Sequence, residues 1–532
     1  MRLNSNRFGS MLALIMALAL VVTACGDSSS DETTTAPTTA APAAATTTAA
    51  PMADGGILQV GVKDDVQAWD SSRLQGVLFP FHRNLYDTLA DYENGLNAMP
   101  RLATGWEIND AQDSVTITLR DDVVFHSGRA MTADDVAANL AYFIDPETGN
   151  QVFGPTSGVV EDWVVNSPTE IVVNLQRPTS ELQITDLLTS WAIGDPEHFA
   201  DYGTEANGTG PFKMVEWVPG ESVTLEANAD YWGEGPYIDG IEYRIFGDTD
   251  TMAAAMEAGD IDVMYSPTAS VAARLEGLGF TTVSAPAGAI IDQFRIDASE
   301  PPWDNANLRL ALSYAMDMPS INDAIYEGLG TVVRLPYAPT SPAFDEDLAA
   351  AMSYDIDKAR ELLETSGLPE SEWTGTVMTS SNNEAAQLVS QIVQQSLASI
   401  GFTLEIDLVD AATASERYFG SDFEVFWSGI GNAQKYPTRI STNSIYRTAG
   451  NAIFDLETLF PAYVAGIDAA NAAVSEADQQ AAFDQLNTAL TEGMWAVSGI
   501  ARPMLTAAAA YVSGAYKDID AQDRFHLVRI SR

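Results

Sequence analysis

Cysteine is almost absent from this chain of 532 residues, since Cys25 is the only one. A disulfide or a cysteine-based metal site in the folded body is therefore excluded. The four histidines, His82, His126, His198 and His526, stand at no spacing typical of metal ligands. The P-loop, the zinc-protease helix motif and the serine elbow are also missing. We therefore expect no metal, no cofactor and no enzymatic activity.

Basic residues are scarce as well. The chain has 26 lysines and arginines against 74 aspartates and glutamates, a formal net charge of −48, and only five of the basic residues are lysine. Such a field repels nucleic acids and acidic membrane surfaces, which excludes both as partners. The acidity favours solubility, including solubility in salty water, and attraction of a cationic ligand is the alternative explanation.

Long apolar runs are missing apart from one near the N-terminus. The run from Met11 to Val22 follows Arg2 and Arg7 and is too short for a comfortable membrane span, which is typical of a secretory signal. The residues that end it, VTAC up to Cys25, resemble a bacterial lipobox. That resemblance implies cleavage before Cys25 and a lipid on its sulfur. We therefore predict a lipoprotein signal peptide over residues 1–24 and an exported protein anchored on the outer face of the cell membrane, or in the periplasm.

The segment after the predicted signal is low in complexity. Residues 25–54 are almost wholly Ser, Thr, Ala, Pro, Asp and Gly. Without large apolar side chains no core can form there. We predict a Thr/Ala/Pro-rich tether over 25–54, which lets a folded body stand off the membrane.

The body alternates short strands with amphipathic helices. Strand-like alternation recurs at Ile57–Val62, Val115–Leu119, Ile171–Leu175, Val223–Leu225, Ile241–Ile245, Thr403–Leu408 and Phe423–Trp427. Apolar residues at helical spacing run from Val389 to Ile400, where Gly401 ends the pattern, and from Phe483 to Met494. This order of elements predicts an α/β fold with mixed sheets.

A set of short motifs follows in order from Leu85 onward. They are Leu85–Leu89 (LYDTL), Pro100–Ala103 (PRLA), Phe125–Gly128 (FHSG), Met131–Val136 (MTADDV), Gly208–Phe212 (GTGPF), Tyr231–Trp232, Gly259–Asp262 (GDID) and Leu308–Asp317 (LRLALSYAMD). This ordered set resembles the family 5 extracellular solute-binding proteins, which are the oligopeptide-, dipeptide- and nickel-type binding subunits of ABC importers. The resemblance covers roughly residues 55–532. We expect each motif, taken alone, to hold the fold rather than to touch a ligand.

Two of these motifs also have local physical explanations. Thr132 can begin a helix, with Asp134 and Asp135 in the first turn against the helix dipole. Gly208 and Gly210 are expected to adopt backbone angles closed to other residues, so that the chain can cross tightly between lobes.

The resemblance implies a two-lobed, periplasmic-binding-protein-like fold that closes on a ligand. On that basis we predict a discontinuous lobe I from residues 55–93, 205–290 and 503–532. An extra domain over 94–204 is inserted in lobe I, and lobe II covers 291–502. The crossovers near residues 290 and 502 would form the hinge.

A cleft between the lobes is the expected ligand site, lined by aromatic and polar side chains. Trp69, Asp70, Trp427, Ser428 and Asn432 are candidates because they lie at strand ends facing the hinge. The other candidates are Tyr436 and Arg439, in the loop beyond, and Arg334, in the loop after the Ala315–Gly328 segment. The alternative is core packing for the two tryptophans and ion pairing for the two arginines. An arginine can pair bidentately with a carboxylate, which an anionic or zwitterionic solute would offer.

The sequence departs from the dipeptide binders of the resembled family. Those members place an acid just after the Trp-x-Gly segment, where this chain has Ile430. They follow it with an Asp-Pro pair, whereas here Tyr436 precedes the proline. Their carboxylate-binding arginine is missing from Ser380–Asn383 (SSNN). Binding of free dipeptides through that clamp is therefore not expected.

The resemblance implies the substrate-binding subunit of an ABC importer. Its ligand would be a peptide-like solute, and its partners the permease and ATPase subunits. Longer peptides, oligosaccharides, opines and other polar metabolites stay open as ligands, as does a ligand-sensing lipoprotein that feeds no importer. We expect a monomer.

Overall fold

The computed structural model of the chain describes residues 55–73, 78–92, 96–286, 288–448, 453 and 455–532. The predicted signal peptide, the tether and Cys25 lie outside the described residues. Within the described ranges no helix is both long enough and apolar enough to cross a bilayer.

Short strands and helices alternate along the body. The strands are β1 (Ile57–Val62), β2 (Ala90–Tyr92), β3 (Ala98–Pro100), β4 (Ala103–Ile108), β5 (Ser114–Leu119), β6 (Val160–Ser167), β7 (Glu170–Leu175), β8 (Phe212–Val218), β9 (Ser222–Ala227), β10 (Gly240–Ile245), β11 (Val263–Tyr265), β12 (Thr281–Ser284), β13 (Ile290–Ile296), β14 (Thr331–Val332), β15 (Thr374–Ser380), β16 (Thr403–Val409), β17 (Val425–Gly431), β18 (Ala496–Ala501), β19 (Leu505–Ala508), β20 (Val512–Ser513), β21 (Tyr516–Lys517), β22 (Asp523–Arg524) and β23 (Arg529–Ile530). The α-helices are α1 (His82–Leu85), α2 (Ala133–Phe143), α3 (Phe153–Ser157), α4 (Glu181–Ser190), α5 (Thr249–Ala258), α6 (Ala269–Gly277), α7 (Ala306–Ala315), α8 (Met318–Tyr326), α9 (Glu346–Ala351), α10 (Ile356–Glu364), α11 (Glu384–Ala398), α12 (Ala411–Phe419), α13 (Leu456–Leu459), α14 (Pro461–Ala472) and α15 (Glu476–Gly493).

The first large sheet has seven strands in the order β12-β19-β11-β1-β10-β9-β8. β1 lies in the middle, parallel to both β10 and β11, whereas the β9 and β19 pairings are antiparallel. Leu58 and Val60 of β1 are fully buried between the sheet and its helices, as the alternating pattern predicts. All seven strands come from the segments predicted for lobe I.

The second large sheet has six strands in the order β14-β18-β13-β17-β15-β16, from the segments predicted for lobe II apart from the first residue of β13. β15 runs parallel to β16 and β17, and β13 runs antiparallel to β17 and β18. α11 packs Val389, Val393 and Leu397 into the core beside this sheet and ends before Gly401, whose φ is +94°. The mixed α/β fold predicted from the sequence is confirmed.

The third sheet is antiparallel, with four strands in the order β4-β5-β7-β6, all within the residues predicted for the extra domain. α2 covers it with Val136, Leu140 and Phe143. At the start of α2 the Asp135 carboxylate accepts the backbone N–H of Thr132 at 2.8 Å, which satisfies a donor that the helix itself leaves free.

The chain passes between the two large sheets at two neighbouring points. β13 begins at Ile290, β18 ends at Ala501, and the backbone N–H of Arg502 donates to the carbonyl of Ile290 at 2.9 Å. The two predicted crossovers are therefore adjacent. The exact boundaries between lobes remain a prediction.

One predicted strand is displaced. The strand expected over Phe423–Trp427 runs from Val425 to Gly431, because Gly429, Ile430 and Gly431 continue the antiparallel pairing with β13. Ser428 therefore lies within the strand rather than after it, and Trp427 lies in the interior of the strand rather than at its predicted end.

The unusual backbone angles predicted for Gly208 and Gly210 are not found in the structure. Neither Gly208 nor Gly210 has a positive φ. A Cβ at Gly208 would lie 2.2 Å from the carbonyl oxygen of Leu85, and one at Gly210 would lie 2.5 Å from the carbonyl carbon of the same residue. Close approach to another stretch of backbone, and not an unusual angle, demands glycine here.

Several family motifs converge on one buried carboxylate. Asp87 is fully buried and accepts hydrogen bonds from Arg101 at 2.8 Å, Thr209 at 3.2 Å and the indole N–H of Trp232 at 3.0 Å. These motifs thus join three distant parts of the chain through a structural network.

Candidate ligand-binding site

A cavity of about 1170 Å³ lies between the parts of the chain that carry the three larger sheets. Residues of the predicted lobe I (Phe79, Asp520, Gln522), of the extra domain (149–187) and of lobe II (429–448) all contribute to its wall. Its volume lies just above the range of about 300–1,000 Å³ typical of small-molecule sites, which leaves room for a solute larger than one amino acid.

The loop after β17 forms much of this wall. Asn432 turns the chain at the end of the strand with a φ of +65°, a conformation that asparagine tolerates better than most residues. Its amide donates to the Thr442 hydroxyl at 3.3 Å, and the Asn443 amide donates to the Gly431 carbonyl at 3.1 Å. The loop is thereby tied at its base, and Pro437–Thr442 within it form a 3₁₀ helix.

Tyr436 and Arg439 of this loop contact α4 of the extra domain. The backbone N–H of Tyr436 donates to the Asp186 carboxylate at 3.3 Å, and Nε of Arg439 lies 3.6 Å from the same carboxylate. Nη2 of Arg439 donates to the Ser190 hydroxyl at 3.4 Å, whereas Nη1 has no hydrogen-bond partner among the described residues. The guanidinium is only 6% exposed, so its charge is incompletely matched.

Lys435 bridges to the C-terminal segment. Its Nζ lies 2.8 Å from the Asp520 carboxylate, and the Gln434 amide donates to the same carboxylate at 2.9 Å. Burial would raise the pKa of Asp520, but the charges of Lys435 and Arg83 outweigh it and hold that pKa below its usual value. The Asp520 carboxylate therefore stays ionised where the segments predicted for the two lobes meet.

Three of the eight sequence-predicted site residues line the cavity: Asn432, Tyr436 and Arg439. The other five lie elsewhere among the described residues. Trp69 is 1% exposed in the core of lobe I, edge-on to Phe81 and Trp217. Asp70 accepts hydrogen bonds from Ser72 and Tyr142, which fix its own loop.

The remaining three belong to lobe II. Trp427 packs edge-on against Phe294 in the core, and Ser428 pairs with Gln293 within the sheet. Arg334 donates to the carbonyl and the hydroxyl of Ser313, and burial lowers its pKa to about 10. These two hydrogen bonds tie Arg334 to α7.

The position that holds an acid in dipeptide binders is not part of the cavity wall. Ile430 is buried in the lobe II core, and residues 380–383 do not line the cavity either. The polar groups that line the cavity therefore come from other segments of the chain.

Sequence reasoning missed four basic residues that line the cavity: Arg177, Lys435, Arg447 and Arg502. For three of the five basic lining residues a signal was available. Residues 425–454 contain no aspartate or glutamate and carry Lys435, Arg439 and Arg447, in a chain where acids outnumber bases almost three to one. A long acid-free segment in so acidic a protein marks a place where negative charge is excluded.

The other two basic residues reach the wall from distant segments. Arg177 donates to the carbonyl oxygens of Gly158 at 2.7 Å and Asn471 at 3.1 Å, and burial lowers its pKa. Arg502 forms a bidentate pair with Asp292, at 2.5 and 3.2 Å. No local pattern in the sequence identifies either.

The matches to known proteins agree with this architecture. Residues 97–452 match the family described as bacterial extracellular solute-binding proteins, family 5 Middle. The glutathione-binding protein GsiB of Salmonella typhi is 27% identical over 364 residues, 65% of this chain and 69% of that protein. GsiB of Escherichia coli O157:H7 is 26% identical over 362 residues, with the same coverage.

Solved structures show the same fold. The ABC transporter substrate-binding protein CtaP of Listeria monocytogenes superposes with a TM-score of 0.80 at 20% identity, over 90% of this chain and 100% of that one. DppA of Helicobacter pylori in complex with the peptide STSA gives 0.76 at 22% identity, over 90% and 99%. AgaA in complex with agropinic acid gives 0.75 at 20% identity, over 90% and 99%. The two-lobed periplasmic-binding-protein fold predicted from the sequence is confirmed, and the chain belongs to the family 5 bacterial extracellular solute-binding proteins.

Proposed function

We propose that this chain is the substrate-binding subunit of an ABC importer, which captures a peptide-like solute between its lobes and delivers it to a membrane permease. One observation carries the proposal. A cavity of about 1170 Å³ is walled by both predicted lobes and the extra domain, in a chain of the solute-binding family. A wall drawn from separate bodies can open to admit a solute and close around it.

Asn432, Tyr436 and Arg439 are the predicted residues that we propose to contact the solute. They stand on one loop that also bonds to Asp186 of the extra domain. A solute that seats against this loop would therefore favour the closed arrangement over the open one. Trp69, Asp70, Arg334, Trp427 and Ser428 would act at a distance, by holding the elements that carry the wall.

The location follows from the predicted leader. We propose that Cys25 is lipidated and that the tether over 25–54 lets the body work at the outer face of the cell membrane, or in the periplasm. The chain would act as a monomer beside permease and ATPase subunits, without nucleic-acid partners and without turnover of the solute.

A non-peptide solute is the second candidate. The similar protein AgaA is described in complex with agropinic acid, and NikZ of Campylobacter jejuni, with a TM-score of 0.75, in complex with Ni(L-His). The absence of the dipeptide clamp at Ile430 and Ser380–Asn383 favours this candidate. A ligand-sensing lipoprotein that feeds no importer is a third possibility, which uptake measurements separate from the first two.

The experiment uses the mature chain with Cys25→Ser, so that it is purified without a lipid. Thermal unfolding and small-angle X-ray scattering are measured with peptides of two to ten residues, glutathione, oligosaccharides, agropinic acid and nickel-histidine. A true ligand should raise Tm by a few degrees and reduce the radius of gyration. Arg439→Ala should abolish both effects, whereas the exposed Arg274→Ala should keep them.

Each outcome decides between the candidates. Effects with peptides or glutathione support the proposal, and effects with sugars or opines alone support the second candidate. Failure of every solute to close the protein contradicts a binding function for this cavity. Uptake of the labelled solute by cells with and without the chain then separates import from sensing.

A further inference from the structure

The charge of the cavity wall is opposite to that of the chain. Five basic residues line the cavity (Arg177, Lys435, Arg439, Arg447, Arg502) against two acidic ones (Asp186, Asp520). The whole chain has 26 basic and 74 acidic residues. The wall therefore gathers cations where the sequence offers few, and an anion is the charge that such a wall attracts.

Pairing within the protein neutralises only part of this charge. Lys435 is matched by Asp520, and Arg502 by Asp292 behind it. Arg439 lies near Asp186, but that carboxylate also accepts the Tyr92 hydroxyl and the Tyr436 N–H, and Nη1 of Arg439 lacks a partner among the described residues.

Two further arginines, Arg177 and Arg447, form no salt bridge in the part of the chain that the structure describes, although the charge of Asp468 partly offsets the effect of burial on Arg177. Arg177 donates to two carbonyl oxygens, and Arg447 to the carbonyl of Thr442 at 3.3 Å. Carbonyl oxygens orient a guanidinium without cancelling its charge. Burial disfavours the charged form of Arg177, and an anion placed beside the guanidinium would offset part of this cost.

Unpaired acceptors lie on the same wall. The side-chain oxygens of Asn150, Gln183 and Gln434 are buried and have no donor among the described residues. Each would gain from an N–H donor of the solute. A simple inorganic anion or a hydrocarbon diacid has none to offer, whereas an amide or an ammonium group does.

We propose that the solute is a net-anionic, peptide-like molecule with two acidic groups and N–H donors, in which Arg177 and Arg439 each hold one acidic group. This inference rests on the proposed function and narrows it. Guanidinium–carboxylate pairs are short and bidentate, and they discriminate against neutral isosteres because a buried arginine would otherwise stay unmatched. Neutral oligosaccharides and basic peptides are thereby disfavoured.

The test compares solutes that differ in charge and little else. Three tripeptide libraries carry Glu, Gln or Lys at one fixed position and random residues at the other two. Bound peptides are identified by native mass spectrometry of the chain with Cys25→Ser. The tightest binder, its Glu→Gln analogue and its C-terminal amide are then titrated by calorimetry, with maltotriose as the neutral reference. We expect capture from the Glu library, and at least a tenfold loss of affinity for either analogue.

Variants assign the loss to the arginines. Arg177→Gln and, separately, Arg439→Gln should weaken the acidic tripeptide about tenfold and its neutral analogue less than threefold, and the Glu→Gln analogue tests the same contacts in the unaltered chain. Arg274→Gln, an exposed arginine paired with Glu257 outside the cavity, is the matched control and should change neither.

Two results would overturn the inference. Equal or tighter binding of Gln peptides, Lys peptides or maltotriose refutes the anionic solute and leaves the binding function standing. Capture from none of the libraries also refutes a peptide-like diacid, and closure of the protein with any other solute, seen by X-ray scattering, then decides the proposed function separately.

Discussion

Asp87 shows how one buried carboxylate ties together motifs far apart in sequence. It accepts hydrogen bonds from Arg101, Thr209 and Trp232, which belong to three different motifs. Removing the carboxylate would leave a buried guanidinium and two donors without their acceptor.

Asp87→Ala is therefore expected to lower the free energy of unfolding by about 3–5 kcal/mol. Urea denaturation at pH 7 measures the change. Asp122→Ala serves as the control, since that carboxylate is more than half exposed in its pair with Arg120, and it should cost at most about 1 kcal/mol. Equal losses of unfolding free energy for the two substitutions would show that the Asp87 network stabilises the fold no more than an exposed ion pair does.

His82 makes stability depend on pH. Burial, followed by the charge of Arg83, lowers its pKa to about 4, while its ring bonds to the Ser71 carbonyl and the Gln522 amide. Since this value lies below the unfolded value of about 6.5, the stability that neutral His82 contributes is complete above pH 6.5 and is lost as the pH falls toward 4.

The difference in unfolding free energy between pH 7.5 and pH 4.5 should thus be smaller in His82→Gln than in the parent chain, by about 2–3 kcal/mol. Urea midpoints at both pH values give this number. The comparison within each variant removes any loss of packing that does not depend on pH. An unchanged pH dependence would mean that His82 does not titrate as its burial implies.

At the scale of elements, sequence periodicity located most strands and helices but not their ends. β1 and α11 follow from alternation and from a helical stripe that Gly401 closes. β17 extends past the predicted end because two glycines, which carry no hydrophobic signal, still pair with β13. Backbone pairing depends on a neighbouring strand, and the neighbour is not visible in a local pattern.

The GTGPF segment gives an element-scale prediction. Gly210→Ala should destabilise the fold by about 1–3 kcal/mol, because its Cβ would lie 2.5 Å from the backbone of Leu85, which cannot move aside as a side chain could. Thermal unfolding measures it. Gly203→Ala, where a Cβ meets nothing within 4 Å, should be close to neutral, and an equal loss in both variants would refute the steric argument.

At the scale of the whole molecule, side-chain contacts join the predicted lobes and the predicted extra domain around the cavity. Lys435 and Gln434 of lobe II bond to Asp520, while Tyr436 and Arg439 bond to Asp186. These contacts are made by the protein's own residues, so they would add to the contacts that a bound solute makes in favouring a closed form.

Lys435→Gln should shift the ligand-free protein toward open forms, since it removes the charge that holds Asp520. An increase in the radius of gyration, measured by X-ray scattering without solute, is the expected result. The control is Lys358→Gln, whose side chain contacts Tyr314 on the surface of lobe II. A variant as compact as the parent chain would show that the pair does not govern closure.

The family and its fold could be predicted because the motifs that reveal them build the scaffold. The cavity could be predicted only in part, because Arg177, Lys435, Arg439, Arg447 and Arg502 come from separate segments. Of these five, only Lys435, Arg439 and Arg447 could be recognised from the sequence, because they lie in the acid-free segment 425–454. Trp69 and Trp427 pack in the cores and do not line the cavity, since a large apolar ring near a strand end serves a core as well as a binding site.

The acidic exterior and the basic cavity act on an anionic solute at different distances, and this affects the speed of capture. At low ionic strength a net charge of −48 repels an approaching anion over tens of ångströms, whereas at about 0.15 M salt its reach shrinks to about 8 Å. The cations of the wall act at contact, and the two buried ones, Lys435 and Arg439, are screened much less. The association rate constant, followed by stopped-flow tryptophan fluorescence, should therefore rise with added salt while the dissociation rate changes little. Capture of the solute would then be slowest at low ionic strength. The bound solute would be retained about equally well at low and at high ionic strength.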